Sequence, residues 1–249
     1  MWASCVAIMI ACIVVYIFLT NEKIYYPTVR ITIPEGYNVY QIDRLLFTRG
    51  VIIEEGSLVA LRANEFNEYW FLSGRETLEG FLFPDTYYFF KNSSPQVVAR
   101  RFLDNWEIRA SSLFISKHNV VEKVIVASLI EEEVLSEPQE RALVAGLIFN
   151  RLQQNMPLQI DATLCYIKDR FGCGKVIPSD KELDSYYNTY KHRGLPPGPI
   201  SSPGLSALRA AIFPKSSEYL FFISDPKTGK KVFAKTLDEH NQNIVKYLR

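Results

Sequence analysis

The sequence predicts an α+β fold, in which a small β/α unit is followed by a mainly helical unit carrying a β-hairpin, with one apolar segment ahead of both. Three observations predict it. Residues 2–19 hold no charged side chain. A short alternating strand opens the rest of the chain. The second part then repeats apolar residues at helical spacing, with two strand-like runs near its end.

The run from Trp2 to Leu19, closed by Thr20-Asn21-Glu22-Lys23, is long enough at ~1.5 Å per residue to cross a bilayer core. It lacks the basic start, short apolar core and small-residue cleavage site of a secretory leader, so an uncleaved transmembrane anchor is expected over residues 1–22. Trp2, Tyr25 and Tyr26 suit the two interfaces. No Lys or Arg precedes the run, so charge does not orient it.

Val29 to Ile33 alternates as a half-buried strand, and Pro34-Glu35-Gly36 ends it with a turn. Val39, Ile42, Leu45 and Leu46 predict a helix that Gly50 stops, and a second short helix is expected from about Glu54 to Ala63. These form a small unit over residues 28–75. The aromatic, Gly- and Pro-punctuated segment Thr77 to Tyr87 opens the second unit, residues 76–249. There Ser94-Pro95 supplies an N-cap and a first-turn proline for a helix through Ile108. Val121 to Glu133 is apolar nearly all round and predicts a buried helix. Ser136 with Gln139 is a capping box for a helix running towards Gln154. Ser202-Pro203 starts another helix, and Tyr219 to Ile223 pairs with Val232 to Ala234 around an Asp225-to-Gly229 turn. Thr236 with Glu239 caps the last helix.

A 249-residue chain that is 48% hydrophobic can build a sizeable core. Its net charge of +1, from 28 basic and 27 acidic residues, gives no broad positive field, so no nucleic-acid partner is expected. Cys165 and Cys173 could bridge if this part of the chain lies outside the cytoplasm; two small buried thiols are the alternative. The cysteines have no metal-ligand spacing, and His118, His192 and His240 are too scattered for a metal centre or a nucleophile with its base, so neither metal nor cofactor is expected. Nor is there a nucleophile elbow. What remains is carboxylate chemistry.

Glu131, Glu132 and Glu133 end the buried helix, where acidic residues oppose the helix dipole. A half-buried carboxyl there would have its charged form disfavoured, as a general acid near neutrality needs; a solvated acidic loop is the other reading. Periodicity does not choose among the three. Leu158 to Thr163 reads as extended, with Gln159, Asp161 and Thr163 on one face, either a sugar-binding wall or an exposed edge. Tyr187-Asn188-Thr189-Tyr190 and the rigid Gly194-to-Gly204 loop would suit the side of a groove or a connector.

Seven segments in one order resemble the endolytic murein transglycosylases of the MltG (YceG-like) type. They are Thr32-Ile33-Pro34-Glu35-Gly36, Leu78-Glu79-Gly80 with Phe83-Pro84-Asp85-Thr86-Tyr87, Ala127-Ser128-Leu129-Ile130-Glu131, Phe149-Asn150-Arg151-Leu152, Leu158-Gln159 with Asp161, Tyr187-Asn188-Thr189-Tyr190, and Gly194 to Ile200. The resemblance implies an enzyme anchored in the inner membrane that cuts peptidoglycan glycan strands on the cell-wall side, coupled to wall synthesis. It implies Glu131 as the catalytic acid, being the first acid after the Ala-Ser-hydrophobic-hydrophobic run, and Gln159, Asp161, Asn188, Thr189 and Tyr190 as groove-lining, substrate-binding positions. It also implies that the small unit is loosely LysM-like. Members often carry a further β/α module before the Thr-Ile-Pro-Glu-Gly strand; here the apolar run reaches Val29 almost directly.

Overall fold

The computed structural model describes residues 27–134, 137–168, 171 and 173–248. The expected anchor and Ser136 lie outside these residues. Among the described residues, no helix is long and apolar enough to cross a membrane.

The fold is mixed α+β, mainly helical, with two small two-stranded antiparallel sheets. Strand β1 (Thr28–Thr32) leads through the Pro34-Glu35-Gly36 turn into helix α1 (Val39–Thr48). Asn38 caps α1 by accepting from the Gln41 N–H, and the Gln41 side chain accepts from the Asn38 N–H in return. β1 pairs with β2 (Thr86–Phe90), from Thr28 opposite Phe90 to Thr32 opposite Thr86. The expected boundary at residues 75/76 therefore falls between two strands that hydrogen-bond to each other. One apolar core runs from Ile31 and Ile42 through Phe71, Phe81 and Trp106 to the helices beyond.

The helix expected from Glu54 to Ala63 is replaced by turns, and a 3-10 stretch follows at Ala63–Phe66. The buried Asp43 carboxylate explains this. It accepts from the N–H groups of Gly56 and Leu58, and Gly56 sits at φ 89°, where a regular helix cannot continue.

Helix α2 (Pro95–Ala110) starts as expected, with Ser94 accepting from the Val97 N–H and proline in the first turn. Helix α3 (Val120–Glu133) is the centre of the second unit; every residue from Val124 to Glu131 is buried. It packs against α4 (Pro138–Gln153), α5 (Asp161–Lys168) and α6 (Leu205–Ile212). Helix α4 begins with Glu137 as its N-cap rather than with Ser136, and α6 begins after Gly204, two residues beyond the Ser202-Pro203 start expected. Each Val, Leu or Ile side chain of α3 taken fully out of water contributes about 1.5–3 kcal/mol, so burial on all sides of its middle turns holds the helix in place.

Strands β3 (Phe221–Ser224) and β4 (Lys231–Ala234) form the expected hairpin, and α7 (Leu237–Leu248) closes the chain with the Thr236/Glu239 capping box. Asp225 organises the turn by accepting from the Lys227 N–H and the Thr228 hydroxyl. Cys165 of α5 is disulfide-bonded to Cys173, with Cα atoms 5.0 Å apart.

Candidate active site

An α-helix turns about 100° per residue, so the three consecutive glutamates at the end of α3 leave it in three directions. Their surroundings differ accordingly.

Glu131 points into the protein. The Arg141 guanidinium of α4 grips it with two bonds, Nη2 to Oε1 at 2.6 Å and Nη1 to Oε2 at 3.2 Å, and both side chains are sealed from solvent. The Gly204 N–H at the start of α6 also donates to Oε2, at 2.9 Å. Arg141 Nε donates to the Val134 carbonyl, so the fork cannot swing away. Burial pushes the Glu131 carboxyl above its ordinary range, the Gly204 N–H and Arg141 pull it back, and the Glu35 charge pushes it up again.

Glu132 turns towards the Pro34-Glu35-Gly36 turn. The Gly36 N–H donates to the Ser202 carbonyl and the Ser202 N–H to the Tyr37 carbonyl, which pins this turn to the Pro/Gly-rich loop. Gly36 has φ 83°, and a side chain there would press on the Glu132 carboxylate; one at Gly204 would collide with that of Glu35. Glu132 keeps contact with solvent, yet crowding raises its carboxyl to about 7. Partial burial is the main cause; a Ser201 hydrogen bond opposes it, and the charges of Glu131 and Glu133 add to it.

Glu133 faces an open cavity of about 410 Å³. Across this cavity stand Gln159 and Asp161 at the start of α5, Tyr190, Arg151 of α4 and Phe221 of β3. A second cavity, of about 590 Å³, lies on the other side of Glu133 towards the Thr228-Gly229 turn. The glutamate is thus shared by two adjoining hollows. Burial raises its carboxyl, the Lys231 ammonium 3.9 Å away lowers it, and the Asp161 charge raises it.

Of the residues expected to line a groove, Gln159, Asp161 and Tyr190 do so together with Glu133. The Tyr190 hydroxyl donates to Asp161 Oδ1 at 2.5 Å. Asn188 and Thr189 are buried beneath them instead. Asn188 Nδ2 donates to the Lys181 and Leu183 carbonyls while Oδ1 accepts from the Tyr190 N–H, so it shapes the loop that presents Tyr190. The Thr189 hydroxyl accepts from the Ile160 N–H and pairs with Thr163. The segment expected to be extended is therefore bent. Gln159 adopts φ 55°, its N–H donating to the Thr189 carbonyl, and α5 starts at Asp161, which buries Thr163 rather than aligning it with Gln159 and Asp161.

Glu133 was one of the three adjacent acids that the sequence left undecided, whereas Arg141, Arg151 and Lys231 were not singled out for these positions. Arg151 is locked by donating to the Pro157, Leu158 and Leu220 carbonyls, which leaves a fixed cation in the cavity wall. A signal for both arginines existed, since each interrupts the apolar face of a helix packed into the core, where a cation needs a partner. Lys231 carried no such signal in its short strand.

The YceG-like family model matches residues 14–246. An endolytic murein transglycosylase of Bacillus subtilis (strain 168) is 34% identical over 237 residues, covering 88% of this chain and 65% of the relative. One from Streptococcus pneumoniae is 28% identical and is covered over 44% of its length. The chain thus spans less than two thirds of the length of these curated relatives. The crystal structure of a yceG-like protein from Listeria monocytogenes is 32% identical, with a TM-score of 0.75 over 88% of this chain and 77% of that one. Matched by the family model over residues 14–246 and sharing sequence with these proteins over 88% of its length, the chain belongs to the YceG-like family.

Proposed function

We propose that this chain is a lytic transglycosylase that cuts the β-1,4 bond between N-acetylmuramic acid and N-acetylglucosamine within glycan strands, leaving 1,6-anhydro ends, and that Glu133 is its acid. The observation that carries this reading is Glu133 facing a cavity shared with Asp161 and Tyr190, with a carboxyl raised by burial. The names of the relatives support the substrate class. Glu131, the acid expected from the resemblance, is engaged on both oxygens by Arg141 and Gly204 and lines neither of the two cavities beside Glu133. Its role in this reading is structural.

Protonated Glu133 donates to the leaving oxygen as the glycosidic bond breaks. As carboxylate it then accepts the proton of the muramic acid 6-hydroxyl, which attacks the same anomeric carbon. The internal hydroxyl replaces the positioned water of a hydrolase, so one carboxyl serves both steps. Phe221 and Tyr190 offer faces for sugar rings, and Gln159 and Arg151 offer donors. The Cys165–Cys173 disulfide fits an oxidising compartment, consistent with a protein held at the inner membrane by residues 1–22 and facing the wall. Termination of nascent strands beside the synthesis machinery is the role this chemistry suits, with the small unit helping to hold the strand.

A second reading, hydrolysis by water with Asp161 as partner, is favoured by Asp161 sharing the Glu133 cavity. A third is a membrane-tethered glycan-binding scaffold. Incubating the 249-residue chain with uncrosslinked glycan strands and weighing the products separates them: anhydro ends support the first, reducing ends the second, intact strands the third. Glu133→Gln should lower cleavage by about 10²–10⁴-fold without loss of folding. Full cleavage by Glu133→Gln, with loss on Glu131→Gln in a folded protein, would return the acid role to Glu131.

A further inference from the structure

Lys231 of β4 is the cation beside the proposed acid, and its side chain is 7% exposed. Its Nζ lies 3.9 Å from Glu133 Oε2, donates to Ser224 Oγ at 2.8 Å and sits 4.9 Å from the centre of the Phe222 ring. The Lys231 N–H donates to Glu140 of α4, which fixes the strand against the helix that frames the cavity. Burial disfavours a charged ammonium and lowers its affinity for a proton, and the nearby Glu133 and Glu140 carboxylates act against that loss.

We propose that Lys231 is a positioning residue for the cleavage reaction: a fixed ammonium that holds the Glu133 carboxylate in place and favours it at the moment the glutamate has given up its proton. This rests on the reading of Glu133 as the acid. Lys231 keeps its own proton throughout; the transferred proton moves only between Glu133 and the sugar oxygens.

At 3.9 Å the pair is close enough for strong mutual attraction, yet it is not a tight hydrogen-bonded bridge. That spacing leaves the Glu133 oxygens room to exchange a proton, whereas the bidentate grip on Glu131 occupies both of its oxygens. The other charged or titratable groups facing this pair are Glu132 on α3, Glu137 at the start of α4, Arg151 and Glu140 on α4, Asp161 on α5, Lys230 beside β4, Lys181 and Tyr190 in the segment between α5 and α6, and His240 on α7. Arg151 is committed to three carbonyls, and the Glu140 side chain accepts from the Lys231 N–H. Lys231 is the cation recorded in ion-pair contact with Glu133 among the described residues.

The test is the pH profile of cleavage by the 249-residue chain and its Lys231→Met, Lys231→Gln and Lys231→Arg variants. An opposite charge within about 4–6 Å lowers a carboxyl by about 1–3 pH units, so its loss should move the alkaline limb up by about one unit or more in the two neutral variants. Lys231→Arg should return the limb close to its original pH. A merely structural lysine would lower activity at all pH values alike. An unmoved limb in the neutral variants overturns the proposal. Coupling is reciprocal, so a readout that leaves Lys231 intact serves if those variants do not fold: the Lys231 side-chain NMR titration should shift to lower pH in Glu133→Gln, and an unchanged titration overturns the proposal. Full cleavage by Glu133→Gln would instead overturn the functional reading; loss of cleavage there with an unmoved limb overturns only the role of Lys231.

Discussion

Two carboxylates two residues apart, Glu131 and Glu133, occupy opposite kinds of environment. The region around Glu131 is closed: two guanidinium bonds and a backbone N–H meet its oxygens, and the partners come from α4 and the start of α6. The region around Glu133 opens onto two cavities, with the Lys231 ammonium at 3.9 Å. About 200° of helix rotation separates them. Burial raises both carboxyls, so the direction of the shift does not distinguish the two environments; the partners do.

The sharpest way to break this comparison is to strip the closed side. Arg141→Ala leaves Glu131 buried without its counter-ion, and breaking such a pair costs about 3–5 kcal/mol. The expected result is a much lower midpoint in urea, with cleavage per folded molecule retained below that midpoint. Loss of cleavage in protein that is still fully folded would show that the closed side takes part in chemistry.

Asn188→Ala is next in size. It removes three hydrogen bonds beneath Tyr190 and leaves buried backbone groups unmatched, at a cost of about 1–3 kcal/mol. Because Asn188 positions the loop of the open side, thermal stability and cleavage should both drop, unlike the outcome for Arg141. Unchanged cleavage would mean that Tyr190 holds its place without this support.

The smallest effect lies between the two regions, at Glu132. Its folded carboxyl is raised to about 7, so the folded state holds that proton more tightly than the unfolded chain. The associated stability is fully present below about pH 4.5, the ordinary glutamate range, and is lost as pH rises through 7. Glu132→Gln should match the parent at pH 4 and exceed it at pH 8, by less than about 1 kcal/mol because solvent screens an accessible group. Urea midpoints across that pH range check it; a parent that gains on the variant as pH rises would refute the sign.

Much of the architecture was legible in the sequence. Period-2 alternation marked β1, and cap chemistry marked the start of α2 and α7 within a residue. The all-round apolar pattern marked α3 as buried. The misreadings share a cause. Between Glu54 and Ala63, Asp43 redirects the backbone from 13 and 15 residues away. At Leu158 to Thr163 the alternating pattern was real, but Thr189 captures the Ile160 N–H and the chain bends at Gln159 into α5. Polar residues within a motif did not all face the groove: Asn188 and Thr189 serve the backbone, while Gln159, Asp161 and Tyr190 reach the cavity.

The sequence by itself determined that a buried helix ends in three adjacent acids, because hydrophobic periodicity and residue identity are local properties. Only the tertiary structure decided which acid is closed in by partners and which faces a cavity. Arg141 lies 10 residues from Glu131, while Gly204 and Lys231 come from segments that follow α5, and their directions are set by how α4, α6 and the hairpin pack around α3. A carboxylate's chemistry depends on the charges and donors within a few ångströms, and no local pattern records what folding brings there.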